Sequence, residues 1–217
     1  VNQKNIQAGN KVYNKFFNII PGIFYLNEQV FSKSLVDLYA EENIKTIVID
    51  WDNTKLAGKL DDKYKYELPL LKGINDRNSV RILWNRSISF QKFQRYLFNE
   101  ITLEEYLIYL SKHLSSSCDR CFLWYGSDLE ILDYKPGMLD VEYIAPAKKT
   151  IERLERAIEL ILDNRCYSFE LPASIVEKYS SDNEITINSA EYPIICKKQA
   201  KYNVSRWAVC GRSNSFL

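Results

Sequence analysis

The run Lys45-Thr46-Ile47-Val48-Ile49 is β-branched and apolar on every interior position, and Asp50-Trp51-Asp52 follows it directly. An unbroken apolar run of this length reads as a strand covered on both faces, the signature of a central parallel strand. Working outward, Gly22–Leu26 is a second apolar run behind a Pro-Gly breaker, and Val80–Trp84 is a third. Between the first two, Gln29–Glu42 reads as a helix, with Val30, Leu35, Leu38 and Tyr39 at roughly helical spacing. Cys121–Tyr125 is predicted as a fourth strand.

Helical patterns fill the intervals that follow. Ser89–Asn99 and Leu103–His113 read as helices, the second opened by Thr102-Leu103-Glu104-Glu105. That is a capping hydroxyl followed by acids suited to the positive end of a helix dipole. Ala147–Leu162 carries Ile151, Leu154, Ile158 and Leu162 on one face. Ser174–Tyr179 reads as a short helix, and Asn164–Phe169 and Val204–Val209 as further strands. Lys55–Asn78 is polar and irregular, and reads as a long loop laid over one face.

Strands alternating with helices give an α/β fold built on a parallel sheet, open or closed into a barrel. The 217 residues, 46% of them hydrophobic, suffice for one core. The chain reads as a single α/β catalytic-type domain, cut from a longer protein because it lacks an initiator Met. A net charge of +1, with lysines and glutamates interspersed, gives no electrostatic case for nucleic acid or an anionic membrane surface. No apolar run reaches membrane-spanning length, and Val1–Asn10 is too polar for a secretory signal, so a cytoplasmic location is expected.

The five cysteines are irregularly spaced. Cys118 and Cys121 form a lone C-x-x-C without the second pair or histidine cluster that a zinc site needs, so no metal is assigned and reduced thiols are expected. The single histidine, His113, is expected at the surface or as a C-terminal helix cap. No cofactor is implied.

In parallel α/β folds, chemistry gathers at the carboxyl ends of strands. Here Glu28 follows the first strand, Asp50 and Asp52 the second, Asn85 and Arg86 the third, and Asp128 and Glu130 the fourth. Tyr25, Trp51 and Trp124 stand beside these ends, as aromatics suited to stacking on sugar faces or as ordinary core residues.

Two of these ends carry a family resemblance. Gly22-Ile23-Phe24-Tyr25-Leu26-Asn27-Glu28 resembles the nucleophile motif of glycoside hydrolase family 57. Trp124-Tyr125-Gly126-Ser127-Asp128-Leu129-Glu130 resembles the same family's acid/base motif. The continuation Ile131–Gly137 is similar to branches of that family related to polysaccharide deacetylases. Weaker matches are Asn85-Arg86 with Ser89-Phe90-Gln91 and Arg95, and Arg206–Arg212. The resemblance implies an α/β fold of the incomplete or distorted (β/α)7-barrel type and a retaining two-carboxylate enzyme acting on a polysaccharide or oligosaccharide, with Glu28 as nucleophile and Asp128 as acid/base. Tyr25, Asp50, Trp51, Arg86, Trp124 and Glu130 would bind substrate. The family's first-strand His-x-His is missing or lies outside this stretch of chain, and one histidine cannot supply the two that a metal-dependent deacetylase uses.

A competing resemblance rests on Ile47-Val48-Ile49-Asp50-Trp51-Asp52-Asn53-Thr54, which looks like the first motif of haloacid-dehalogenase-type phosphatases. It would make Asp50 the nucleophile and Asp52 the acid/base. Ser87 would then bind phosphate, Lys112 would be the cation, and Asp128 and Asp133 would help to hold Mg²⁺. That reading leaves Glu28 unused. A third reading is a non-catalytic α/β binding domain whose strand-end acids are solvated loop residues.

Overall fold

The computed structural model describes residues 2–26, 31–58, 60–116, 120–126, 147–187 and 189–190. Strand β3 (Thr46–Asp50) is buried along its whole length, as its sequence requires. It lies between β1 (Ile23–Tyr25) and β5 (Ser79–Asn85), parallel to both. The register sets Tyr25 beside Val48 and Asp50 beside Asn85. The five-stranded sheet runs β1-β3-β5-β4-β6, with β4 spanning Leu68–Lys72 and β6 spanning Ser180–Ile185.

Successive side chains of a strand point to opposite faces. From β3 and β5, Ile47, Ile49, Ile82 and Trp84 enter a cluster with Val36 and Tyr39 of α2 (Ser34–Glu41) and Trp51 of α3 (Trp51–Gly58). Val48 and Leu83 face the other way, against Leu68, Leu123, and Ile175 and Tyr179 of α7 (Pro172–Tyr179). Each such aliphatic, fully buried, is worth about 1.5–3 kcal/mol over exposure. A third cluster joins Phe93 and Leu97 of α4 (Ser87–Leu97), Tyr106 and Leu110 of α5 (Leu103–Ser111), and Ala157 and Ile161 of α6 (Ala147–Asp163). The foreseen cap on α5 is a full capping box. Glu105 N–H donates to Thr102 Oγ1 at 3.2 Å, and Thr102 N–H donates to Glu105 Oε2 at 2.7 Å.

The expected α/β class and the parallel β1–β3–β5 core hold. The expected Lys55–Asn78 loop does not. It contains the end of α3, a 3-10 turn at Asp62–Tyr66, and β4, which runs antiparallel to β5. Pro69 disguises β4, since it cannot donate to a ladder. The sheet accommodates it with a register shift between Leu68 and Leu70 against β6. The β4–β5 turn is tied down by Asp37, which accepts from Ile74 N–H at 3.0 Å and Asn78 Nδ2 at 3.1 Å. A Cβ on Gly73 would collide with the same carboxylate.

Other departures are smaller. The Gln29–Glu42 helix is described only as α2, after a two-residue strand β2 (Phe31–Ser32) paired antiparallel with β7 (Ser189–Ala190). Cys121–Tyr125 contributes one bridge, Leu123 to Asn85, rather than a strand. Asn164–Phe169 forms no strand: it turns back through Tyr167 N–H to Asn164 O at 3.0 Å. β6 and the N-terminal helix α1 (Asn2–Phe17) went unforeseen, since both are too polar to stand out. The Val204–Val209 segment lies outside the described residues. Among the described residues, no helix is long and apolar enough to cross a membrane.

Candidate active site

Because β1, β3 and β5 are parallel, their carboxyl ends open on one edge of the sheet. Two polar assemblies occupy that edge. The first is a closed triangle. The Tyr25 hydroxyl donates to the Gly126 carbonyl at 2.5 Å, and Asn85 Nδ2 donates to the same carbonyl at 3.0 Å and to the Tyr25 oxygen at 3.2 Å. It links β1, β5 and the segment after the Leu123 bridge. Glycine at 126 permits this approach, because a Cβ there would overlap the Asn85 and Leu123 side chains.

The second assembly ties β3 to the start of α4. Asp50 accepts from Ser87 N–H at 2.7 Å and from Ser87 Oγ at 3.1 Å. Asp52 accepts from Ile88 N–H at 3.0 Å and Ser87 Oγ at 3.3 Å. These amides are the first donors of a helix, which have no partner within it, so two carboxylates here suit both the hydrogen bonding and the dipole. Asp50, Asp52 and Ser87 are all buried.

Beside it, Arg86 is only 3% exposed. Its guanidinium pairs with neither Asp50 nor Asp52. It lies 5.4 Å from the Tyr66 ring centre and 5.7 Å from that of Phe122. His113, expected at the surface, is instead only 7% exposed, because Phe122 and Tyr109 pack on its ring and Tyr66 closes over it. Its Nδ1 is 2.9 Å from the Tyr66 hydroxyl. Burial, then the charges of Arg86, Lys65 and Arg120, push the imidazole down to a pKa of about 3, so it is neutral at physiological pH.

The remaining expected residues are distributed as follows. Tyr25 is 44% exposed and turns its hydroxyl into the triangle. Trp51, expected as a sugar platform, is 3% exposed in the core, edge-on to Trp84 at 5.0 Å. Its ring is spent on packing, which corrects that expectation. Trp124 is partly buried; its Nε1 donates to the Tyr106 hydroxyl at 2.7 Å, and its ring borders a cavity of about 510 Å³ with Tyr125, Tyr167 and Phe169. Lys112 is exposed at the C-cap of α5. Glu28, Asp128, Glu130 and Asp133 lie outside the described residues, as does Cys118. Cys166 is an exposed free thiol, and no group of three metal-ligating side chains gathers among the described residues.

The fold is shared with two solved structures. One is a 4-alpha-glucanotransferase from Thermococcus litoralis, similar over 83% of this chain at 15% identity and a TM-score of 0.63. The other is the alpha-amylase AmyC from Thermotoga maritima, similar over 87% of this chain at 12% identity and a TM-score of 0.50. The match spans 26% of the first enzyme's chain and 46% of the second's. No family model matches the sequence, and no curated protein does.

Sequence reasoning missed the Tyr66–His113 contact and the role of Gly126. The second left a signal: a glycine two residues before a candidate acid, at a strand end, marks a close backbone approach.

Proposed function

We propose that this chain is a catalytic α/β domain of a carbohydrate-active enzyme, one that cleaves or transfers glycosidic bonds with retention. Glu28 would attack the anomeric carbon, and Asp128 would protonate the leaving oxygen. Asp128 would then deprotonate the water or acceptor hydroxyl that releases the glycosyl group. Such a pair stands about 5–5.5 Å apart, with the acid's pKa raised while the nucleophile stays ionised.

The observation that carries this reading is the Tyr25–Gly126 clamp. Tyr25 stands three residues before Glu28, and Gly126 two before Asp128, so the hydroxyl–carbonyl bond joins the segments leading into the two acids. The shared fold with a glucanotransferase and an amylase supports the same class of substrate. Tyr25, Trp124, Arg86 and Glu130 remain the proposed substrate contacts, with Asp50 holding the α4 end of the site. The test is turnover of a maltooligosaccharide by the full protein. Glu28→Gln and Asp128→Asn should each abolish it with the fold intact and without dependence on added metal, whereas full activity in either would sink the assignment.

The convergence of Asp50, Asp52 and Ser87 favours a second reading, the Mg²⁺-dependent phosphatase. Against it, the carboxylates already occupy the Ser87 and Ile88 amides that a bound phosphate would use. Metal-dependent release of phosphate from an aryl phosphate, lost in Asp50→Asn, would establish it instead.

A further inference from the structure

Among the described residues, the cations around Tyr66 form no ion pair. Besides Arg86, the Arg120 guanidinium lies 4.6 Å and Lys65 Nζ 5.6 Å from the centre of the Tyr66 ring. Arg86 Nε and Nη1 are buried with no hydrogen-bond partner among the described residues. Arg120 spends Nη1 on the His113 and Leu114 carbonyls and makes no ion pair among the described residues. Two acids are near enough to act on Lys65, and both are committed elsewhere. Asp62 is 3.2 Å from Lys55, and Asp52 caps α4. His113 is neutral and offers no charge.

Tyr109 and Ser89 flank this group: Tyr109 feels the charge of Arg86, and its hydroxyl interacts with that of Ser89. A buried guanidinium without a partner is among the costlier arrangements a protein can hold, and ring contacts recover only part of the loss. Two buried nitrogens, Arg86 Nε and Nη1, thus lie without a hydrogen-bond partner among the described residues, beside the cations Lys65 and Arg120.

We propose that this cluster is an oxyanion site, in which a carboxylate or phosphate group of the ligand sits against Arg86, flanked by Lys65 and Arg120. The proposal rests on the carbohydrate reading in one respect: if the ligand is a glycan, it is an acidic one. An oxyanion supplies the acceptors that Arg86 lacks, and a guanidinium fork suits both carboxylate and phosphate.

Calorimetric titration of the full protein at low salt tests it, with inorganic phosphate, a galacturonate oligosaccharide and maltotetraose as probes. At least one acidic probe should bind, about tenfold or more tighter than maltotetraose. Binding of phosphate marks a phosphorylated saccharide as the ligand, and binding of galacturonate alone marks a uronic one. Arg86→Met should weaken the acidic probe about tenfold or more, while the ligand-free melting temperature holds or rises because an unpaired buried charge is gone. Lys65→Met, at a half-buried position, should weaken it about threefold or more and serves if the first variant fails to fold. No binding of either acidic probe, or unchanged affinity in the folded variants, overturns the proposal. Maltotetraose turnover without acidic binding would leave the glycosidase reading standing and remove this one. Acidic binding with full turnover in Glu28→Gln would do the reverse.

Discussion

The Tyr25 hydroxyl and the Gly126 carbonyl, 101 residues apart in sequence, meet at 2.5 Å at the carboxyl edge of the sheet. Asn85 closes the triangle from β5. Three short segments are thereby fixed relative to one another just before the chain continues into Glu28 and Asp128.

Gly126→Ala should be disproportionately harmful. The new Cβ would overlap the Asn85 and Leu123 side chains, so either these or the backbone that leads to Asp128 must shift. Overpacking of this kind costs about 1–3 kcal/mol. A fall in kcat of about a hundredfold, well beyond the loss in melting temperature, is expected from displaced catalytic geometry. Steady-state kinetics beside a thermal melt check it.

Tyr25→Phe keeps the ring and removes the hydroxyl. Stability should fall by about 1–3 kcal/mol, the net worth of the two hydrogen bonds that the hydroxyl makes, although Asn85 still serves the Gly126 carbonyl. Urea unfolding measures that loss. A proportionally larger drop in kcat than in stability would show that the clamp serves the site.

Trp51→Phe should separate packing from binding. Trp51 is buried edge-on to Trp84, so the variant should lose about 1–3 kcal/mol by denaturant unfolding while KM for the glycan stays unchanged. A raised KM at constant stability would return Trp51 to the substrate contacts.

His113 predicts a pH dependence. Its folded pKa is depressed to about 3, below the ordinary value of 6.5, so the unfolded chain binds a proton there that the folded one refuses. Between these values the unfolded state is favoured as pH falls. The neutral imidazole's contribution is thus fully present above pH 6.5 and is progressively lost toward pH 3. Urea midpoints of wild type and His113→Phe, compared from pH 7 to pH 4, should show a shallower decline in the variant.

Legibility in the sequence followed burial. β3 and β5 are covered on both faces and announce themselves as apolar runs, and α5 carries its cap in plain view. β4 was hidden by Pro69 and by pairing antiparallel where a parallel order was expected. β6 was hidden because its residues are mostly polar and exposed. It is held by backbone pairing and by Arg81, whose Nη1 reaches the carbonyls of Leu68 and Ser181 at 2.7 and 2.6 Å. At the site, strand-end position marked Asp50, Asn85 and Arg86 from the sequence. It could not show that Asp50 would be taken up by α4 or that Arg86 would turn into an aromatic cluster, since both depend on partners distant in the chain. His113 was misjudged for the same reason: its burial comes from Tyr66 and Phe122, which no local pattern brings near.

The retaining pair is the central claim, and trapping its intermediate tests it most directly. The full protein would be incubated with a 2-deoxy-2-fluoro maltosyl fluoride, followed by intact-mass analysis and peptide mapping. The account predicts one glycosyl adduct on Glu28, absent in Glu28→Gln and still formed in Asp128→Asn, because fluoride leaves without protonation. An adduct on another carboxylate, Asp50 above all, would contradict it.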